Sequence, residues 1–448
     1  MSVLVTWSSR IRAFHPDHLA IVRGMAWVTL FVLLGKLSGA AKEMAVAYHY
    51  GVGAEVDGYL FVLNLVSWPL ALWFSVLTMV LVPLAARMRE QAPGELPRFR
   101  AELLGAALVL GLLLWLAAEL LLPALIRWPR VGLAPATAAV ATDAAHGLAL
   151  LLPLGVLASL FSAWMLAAGL HANTLLEGVP ALVIALAVIF HDGGAAPLVW
   201  GTVAGFALHL ACLAYPLARR GEIVLPRLGA ASPAWGWFWQ SFAIMLAGNA
   251  VMSLIDIVDL MFAVHLGTGT VSTLSYANRL LALMLGLGGT AVSRATLPVF
   301  ARAHHDSAGC IHQVATRWVA IMLALGALAA VLVWAVAPAA VSLVFERGAF
   351  DAANSAAVAG VLRYGALQMP FYFAALVLVS SLVSRGLHRA VAIGAAINLL
   401  VKVGASLLLV PLMGMQGIVL STGVMYLSSF AMLYLYARHI HRQKRRTR

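Results

Sequence analysis

Long apolar runs separated by short polar connections make up most of this 448-residue chain. Crossing the hydrocarbon of a bilayer takes about 20 apolar residues, and most of the runs are that long. The runs lack the period-two alternation of barrel strands and therefore predict helices. We predict twelve spans, at 24–49, 58–85, 102–125, 146–170, 174–191, 197–217, 238–265, 271–299, 316–341, 355–383, 387–410 and 415–437.

The composition agrees with this pattern. Hydrophobic residues make up 63% of the chain and charged residues 10%. A soluble domain has about 45–50% apolar and about 25% charged residues. The chain is therefore predicted to be an all-α polytopic membrane protein, and no polar run is long enough to form a separate soluble domain.

The net charge of +12 is distributed unevenly along the chain. On the twelve-span reading, both termini and the connections after even-numbered spans hold twenty Lys and Arg, whereas the opposite side holds Arg127, Arg130 and Arg347. Lys and Arg accumulate on the cytoplasmic side of membrane proteins. Both termini are therefore predicted to be cytoplasmic, and the basic excess reflects topology and anionic lipid rather than nucleic acid.

An internal repeat relates the two halves of the chain. EMAVAYHYGVG (43–53) aligns with DLMFAVHLGTG (259–269), which matches one acid, one His and two Gly in register. Six spans separate the two segments, so both halves have the same orientation in the membrane. This arrangement predicts two six-helix bundles related by a parallel pseudo-two-fold axis, which face each other across a central cavity.

The repeat and the spans together divide the chain into five parts. We predict a cytoplasmic N-terminal segment (1–22), a first six-helix bundle (23–218) and a cytoplasmic linker (219–236). A second six-helix bundle (237–437) and a basic cytoplasmic tail (438–448) follow.

Charged residues inside the spans are the best indication of function. Span 1 carries Lys36, Lys42 and Glu43, and span 8 carries Arg279. A charge at the bilayer centre costs about 2.5–3.5 kcal/mol on insertion scales, so such side chains face protein or a water-filled cavity. Cations from both halves would suit an anion such as a diphosphate. The alternative is that Lys36 and Glu43, which share a helix face, form an internal ion pair that only joins helices.

The second half also contains acidic residues within a span. Asp256 and Asp259 lie three residues apart on one face of span 7, which makes them a candidate site for a coupling Na⁺ or H⁺. A structural pair with Arg279 is the alternative. Arg363 and Lys402 enter spans 10 and 11, and the sequence leaves open whether they reach an interface by snorkelling.

Enzyme motifs are lacking in the sequence. The pair Gly35-Lys36 is followed by Leu37, so it does not form a phosphate-binding GxxxxGK[ST] loop. HExxH, CxxC and GxSxG are also absent from the sequence. We therefore predict a secondary transporter or flippase without a cofactor or metal, rather than an enzyme.

The segment GKLSGAAKEMAVAYHYGVGAEVDGYLF resembles the first-helix signature of the MurJ/MviN-type lipid II flippases, in the MOP exporter superfamily. In this resemblance Lys36 and Lys42 fall on the two arginines of the family, Glu43 on its aspartate and Asp57 on its second aspartate. SYANRL resembles the YADRL of the family and places Arg279 on its functional arginine. The chain departs from the family in the uncharged stretch WPLALWF (68–74) and in having about twelve rather than fourteen spans.

The resemblance implies an inner-membrane flippase that moves a polyprenyl-diphosphate-linked saccharide by alternating access. The saccharide would be a lipid II-like peptidoglycan precursor or an exopolysaccharide repeat unit, with cell-envelope glycosyltransferases or a polymerase as partners. Lys36, Lys42 and Arg279 would bind the diphosphate, and Glu43 and Asp57 would belong to a gate or charge network. A MATE-like drug/cation antiporter and a non-transporting envelope scaffold are the alternatives.

The charge distribution generates a prediction about topology. Reporter fusions after Arg100, Arg227 and Arg448 should report cytoplasm, and fusions near Val52 and Gly269 should report the exterior, because the basic connections stay inside. An alkaline phosphatase and green fluorescent protein pair at each position provides the measurement. An external C-terminus would contradict the twelve-span topology.

Overall fold

The computed structural model describes residues 16–170, 173–191, 193–303, 308–384 and 387–446. Within these ranges the chain is helical and contains no strand, which confirms the all-α prediction. The predicted N-terminal segment and basic tail lie partly outside the described residues.

The helices follow the predicted spans closely, with two spans divided in the middle. Their bounds are α1 (Pro16–Tyr50), α2 (Ala54–Gln91), α3 (Leu96–Arg127), α4 (Pro135–Ala149), α5 (Leu151–Ala167), α6 (Asn173–Leu176), α7 (Val179–Phe190), α8 (Ala196–Arg219), α9 (Ala234–Val264), α10 (Thr270–Ala303), α11 (Ala308–Phe345), α12 (Ala352–Ala366), α13 (Met369–Val383), α14 (His388–Met413) and α15 (Met415–Arg446). The predicted fourth span, 146–170, begins too late, because the helical segment starts at Pro135 and bends midway.

The two divided spans bend in the same way. Helices α4 and α5 meet at 44°, and α12 and α13 meet at 40°. In each pair the first helix ends four residues before a proline: Ala149 precedes Pro153, and Ala366 precedes Pro370. Proline lacks the N–H that would bond to the carbonyl four residues earlier, and its ring clashes with that carbonyl. Both breaks therefore have a local cause in the sequence.

A glycine on the preceding helix packs against each of these prolines. A Cβ added to Gly111 would lie 2.8 Å from the Cα of Pro153, and one added to Gly326 would lie 2.5 Å from the Cα of Pro370. Only glycine allows the two backbones to approach so closely. The same glycine–proline contact thus occurs at equivalent places in the two halves.

Helix packing also repeats between the halves. In the first half α1 packs on α7, α2 on α5, and α7 on α8. In the second half α9 packs on α14, α10 on α13, and α14 on α15, which are the equivalent pairs. The structure therefore consists of two helical bundles with a parallel repeat, joined mainly where α2 packs against α9 and α10.

Eight helices in the described part of the chain are long and apolar enough to cross a membrane, and up to ten if each bent pair counts as one span. The two other long helices, α1 and α10, carry the charged residues Lys36, Lys42, Glu43 and Arg279. The chain is a multi-pass membrane protein in which these two charged helices pack among apolar ones.

The glycine–proline contacts can be tested by adding a methyl group. Gly111→Ala and Gly326→Ala should each destabilise the protein by about 1–3 kcal/mol, because the new Cβ meets proline backbone that cannot move aside. Gly404→Ala on α14 is the matched control, since nothing lies within 4 Å of its added Cβ. Thermal unfolding in detergent measures the effect, and equal melting temperatures for all three variants would contradict the close packing.

Candidate functional site

A cavity of about 390 Å³ lies between the two bundles, bordered by α2 from the first half and by α9 and α10 from the second. Its polar lining combines amide, hydroxyl, indole and charged groups: Asn64, Ser67, Trp68, Ser253, Asp256, Asp259, Ser275, Asn278 and Arg279. Both halves therefore contribute polar groups to one shared cavity, as the repeat predicts.

A cluster of three charges lies beside this cavity. The Glu43 carboxylate lies 2.5 Å from Lys42 Nζ and 2.9 Å from Arg279 Nη1, measured to the same oxygen. Glu43 is buried, whereas the Arg279 side chain is 39% exposed and also lines the cavity. One carboxylate thus joins a cation of the first half to a cation of the second, and the cluster carries a net charge of one positive unit.

Lys36 occupies a different position from Lys42 and Arg279. It lies six residues before Lys42 on α1, which is about 9 Å along the helix axis. Its side chain is exposed and interacts electrostatically with Glu177. The ion pair of Lys36 with Glu43, which was the alternative reading of the sequence, is not observed, because Glu43 pairs with Lys42 and Arg279.

Asp57 caps a helix of the opposite bundle. It is 1% exposed, and its carboxylate accepts hydrogen bonds from the backbone N–H groups of Gly269 at 2.5 Å and Ser272 at 2.7 Å. Gly269 immediately precedes α10 and Ser272 lies in its first turn, where backbone N–H groups lack partners within the helix. The carboxylate therefore also complements the positive end of the helix dipole.

Further contacts between the halves lie around Asp57. The Ala349 N–H donates to the Tyr48 carbonyl at 2.8 Å, and the Tyr276 hydroxyl donates to the Gly51 carbonyl at 3.2 Å. Gly51 has a φ of 59° and lies against Ala349, so both its conformation and its neighbour require glycine. We call this set, Tyr48, Gly51, Asp57, Gly269, Ser272, Tyr276 and Ala349, the Gly51 seam.

The Gly51 seam joins the two bundles on one side of the charge cluster. Glu43 lies seven residues before the end of α1, and Arg279 lies nine residues after the start of α10. The charge cluster therefore lies about two helical turns inside the seam.

The acids of α9 have separate environments. Asp259 pairs with Lys402 at 2.5 Å, and the Lys402 side chain is fully buried. Snorkelling of Lys402 to an interface, one of the two sequence readings, is therefore wrong, and Asp259 pairs with Lys402 rather than with Arg279. Asp256 is exposed in the cavity.

Sequence reasoning missed several of the residues that form this site. In the sequence, nothing distinguishes Tyr276 of the seam, or Asn64 and Trp68 of the cavity, from other residues of apolar helices. The hydroxyls of Ser421 and Thr422, which bind Lys402, also went unnoticed. The sequence does contain a signal for this contact: a lysine lies within one apolar span, and two adjacent hydroxyl residues lie in the next.

Two helical bundles in parallel repeat, with charged groups around a cavity between them, form the architecture that the resemblance to the MOP superfamily implies. The profile of the family described as "MurJ: Lipid II flippase MurJ" matches residues 46–446. The chain therefore belongs to the MurJ lipid II flippase family, as the sequence resemblance predicted. Asp57, Asp259 and Arg279 lie in the matched region, whereas Lys36, Lys42 and Glu43 precede it.

Two curated relatives are each described as a probable lipid II flippase MurJ. The protein of Rhizobium tropici is 31% identical over 159 residues, which cover 35% of this chain and 30% of that protein. The protein of Rhizobium meliloti (strain 1021) is 27% identical over 248 residues, which cover 53% of this chain and 45% of that protein. The matches thus extend over less than half the length of each relative.

Solved structures show the same fold at low identity. Lipid II flippase MurJ in an inward closed conformation superposes with a TM-score of 0.77 and 16% identity, covering 92% of this chain and 87% of that chain. An inward-facing multidrug resistance MATE family transporter of the MOP superfamily also gives a TM-score of 0.77, with 14% identity and coverage of 92% and 96%. Fold similarity therefore does not separate the two kinds of transporter.

The seam generates a prediction about Asp57. Asp57→Ala should lower stability by about 1.5–3 kcal/mol, because each charge-assisted hydrogen bond to the start of α10 is lost. The stability of Asp57→Asn should lie between those of Asp57→Ala and the wild type, because the amide carbonyl of Asn can still accept a hydrogen bond from one of the two N–H groups. Thermal unfolding of both variants, with Asp143→Ala at an exposed position of α4 as control, measures the effect. A melting temperature of Asp57→Ala equal to that of the control would contradict the capping role.

Proposed function

We propose that this protein is a flippase for a polyprenyl-diphosphate-linked saccharide. The observation that carries the proposal is the pairing of Lys42 and Arg279 across the two bundles through the single carboxylate of Glu43. Arg279 extends from this cluster into the cavity. A diphosphate presents several anionic oxygens, and it can therefore bind both cations at once.

Glu43 has a specific role in this proposal. It serves as the resident counter-anion of Lys42 and Arg279 when no substrate is bound, which lowers the cost of two cations in the interior. An incoming diphosphate competes with the carboxylate for the same cations. Because the cations belong to different bundles, exchange of one anion for the other changes the contact between the halves, as alternating access requires.

Lys36 and Asp57 would act at other points of the transport path. Lys36 is exposed and lies further along α1 from the seam than Lys42 does, where it would meet the diphosphate on its way to the cluster. Asp57 holds the start of α10 in the Gly51 seam, so release of these hydrogen bonds is the step that would open that end. We infer that this end faces the exterior, because the basic connections lie on the opposite side.

Coupling to an ion would involve Asp256 rather than Asp259. Asp256 is exposed to the cavity, whereas the Asp259 carboxylate is paired with Lys402. A proton or Na⁺ from the cavity can reach Asp256 directly. We place the protein in the bacterial inner membrane with both termini cytoplasmic. The enzymes that make or polymerise the saccharide, which are membrane glycosyltransferases or a polymerase, would be its partners.

The diphosphate site predicts a specific pattern of transport defects. Lys42→Ala and Arg279→Ala should each reduce flipping roughly ten- to a hundredfold, because a lost charged hydrogen bond costs about 1.5–3 kcal/mol. Lys36→Ala should reduce it less than either. Protection of a labelled polyprenyl-diphosphate saccharide in proteoliposomes measures transport, with protein level determined in the same vesicles.

Arg363→Ala is the matched control for these variants, because Arg363 is a half-buried Arg that donates to the Trp334 carbonyl at 2.8 Å, away from the cavity. Normal transport by Lys42→Ala together with Glu43→Ala in one protein would contradict the diphosphate site. Transport of both a lipid II-like substrate and an exopolysaccharide repeat unit should be measured, since the cluster recognises the diphosphate they share.

One observation favours a second candidate, a drug/cation antiporter. The cavity contains Asp256 and the indole of Trp68, and an acidic group beside an aromatic ring suits an organic cation. Dye efflux from the same proteoliposomes distinguishes the two functions. Dye efflux that is abolished by Asp256→Asn, in the absence of saccharide flipping, would support the antiporter. The absence of both efflux and flipping would support a non-transporting scaffold.

A further inference from the structure

The Lys402 ammonium lies among oxygen atoms from two neighbouring helices. Asp259 Oδ1 on α9 is 2.5 Å from Nζ, and three oxygens of α15 are nearby: the Ile418 carbonyl at 2.8 Å, Ser421 Oγ at 2.8 Å and Thr422 Oγ1 at 2.7 Å. Lys402 itself extends from α14 and is 0% exposed. The ammonium thus joins α14 to α9 and α15 through protein oxygens.

This arrangement has more oxygens than an ammonium can use. An ammonium has three N–H donors and no acceptor, yet four oxygens converge on it within 2.8 Å. One carboxylate, one backbone carbonyl and two hydroxyls form the kind of hard oxygen set that binds metal cations. A spherical cation can contact all four oxygens, because it has no preferred bond directions.

The hydroxyls are themselves oriented for this role. Ser421 donates its own proton to the Ile418 carbonyl at 2.6 Å, so its lone pairs remain for a cation. Ser406 lies 2.9 Å from Ser421 and supports the same hydroxyl from α14. These hydrogen bonds hold the Ser421 hydroxyl in a fixed orientation beside the ammonium.

We propose that these oxygens form a monovalent cation site, of the kind that binds Na⁺, and that Lys402 fills it as a cation attached to the chain. The cation in this site then stays attached to the chain. It joins α9, α14 and α15 without an exchangeable ion, so Na⁺ bound at Asp259 has no part in the transport cycle. The inference concerns the second bundle alone and stands whether or not the proposed flipping activity is correct.

The experiment removes the Lys402 ammonium by substitution and supplies Na⁺ in solution in its place. Lys402→Ala leaves the Asp259 carboxylate unpaired, and the purified variant should melt well below the wild type in choline chloride. NaCl at equal ionic strength should raise its melting temperature in a saturable way, because Na⁺ binds the folded state. The wild type should show the same melting temperature in both salts.

Two further variants serve as controls. Lys402→Ala with Asp259→Asn removes both charges, so it should melt at the same temperature in both salts. Lys402→Met keeps the volume of the side chain and blocks the site, so Na⁺ should not stabilise it. Lys402→Asn supplies a carbonyl oxygen and fills part of the space, and it should show the Na⁺ effect if Lys402→Ala does not fold in either salt.

The outcomes separate clearly. Na⁺-dependent stabilisation of Lys402→Ala or Lys402→Asn, absent from the double variant and from Lys402→Met, supports the proposal. Failure of Na⁺ to stabilise both smaller variants relative to choline would overturn it. A saturable Na⁺ effect in the wild type that Asp259→Asn removes would also overturn it, since the site would then be open beside the lysine.

Discussion

A charge inside a membrane protein needs an opposite charge or an aligned dipole beside it, and this requirement organises the interior of the molecule. Glu43 is placed between Lys42 and Arg279, Asp259 is paired with Lys402, and Asp57 lies at the positive end of α10. Each arrangement joins helices that are far apart in the chain. Removal of one partner from a buried pair costs much more than the pair contributes, so these contacts fix which helices can be neighbours.

The three arrangements differ in how readily they can be exchanged. Lys402 is fully buried and surrounded by four oxygens, whereas Arg279 is partly exposed to a cavity. The Lys402 pair therefore belongs to the permanent structure of the second bundle. The Glu43 cluster instead lies beside the cavity and bridges the two bundles.

The backbone provides the corresponding geometry. Pro153 and Pro370 divide equivalent spans of the two halves, and Gly111 and Gly326 allow the neighbouring helices to approach the breaks. Such repeated bends bring helix ends into the protein interior, which the membrane permits only where protein covers the freed backbone groups. The family match and the MurJ and MATE superpositions agree with this repeated framework. The charged residues, rather than the framework, must account for the choice of substrate.

Much of the fold follows from the sequence alone, because hydrophobic length and proline position act locally. The apolar runs predicted the helices and the order of the spans, and the aligned segments at 43–53 and 259–269 predicted the parallel repeat. The fourth span was misplaced because residues 135–145 are rich in Ala and Thr and contain Asp143, which weakens the apolar signal although the segment is helical.

The sequence also identified the charged residues of the site, but it could not pair them. Spacing along one helix determines the face on which a side chain lies, and not the helix that packs against that face. Lys36 and Glu43 share a predicted face, yet Glu43 binds Lys42 beside it and Arg279 from the other half. The sequence alone is compatible with Lys402 reaching the interface by snorkelling, whereas in the fold α9 and α15 enclose its side chain. The Glu43–Arg279 and Asp259–Lys402 pairs join residues more than 140 positions apart, and only tertiary packing brings them together.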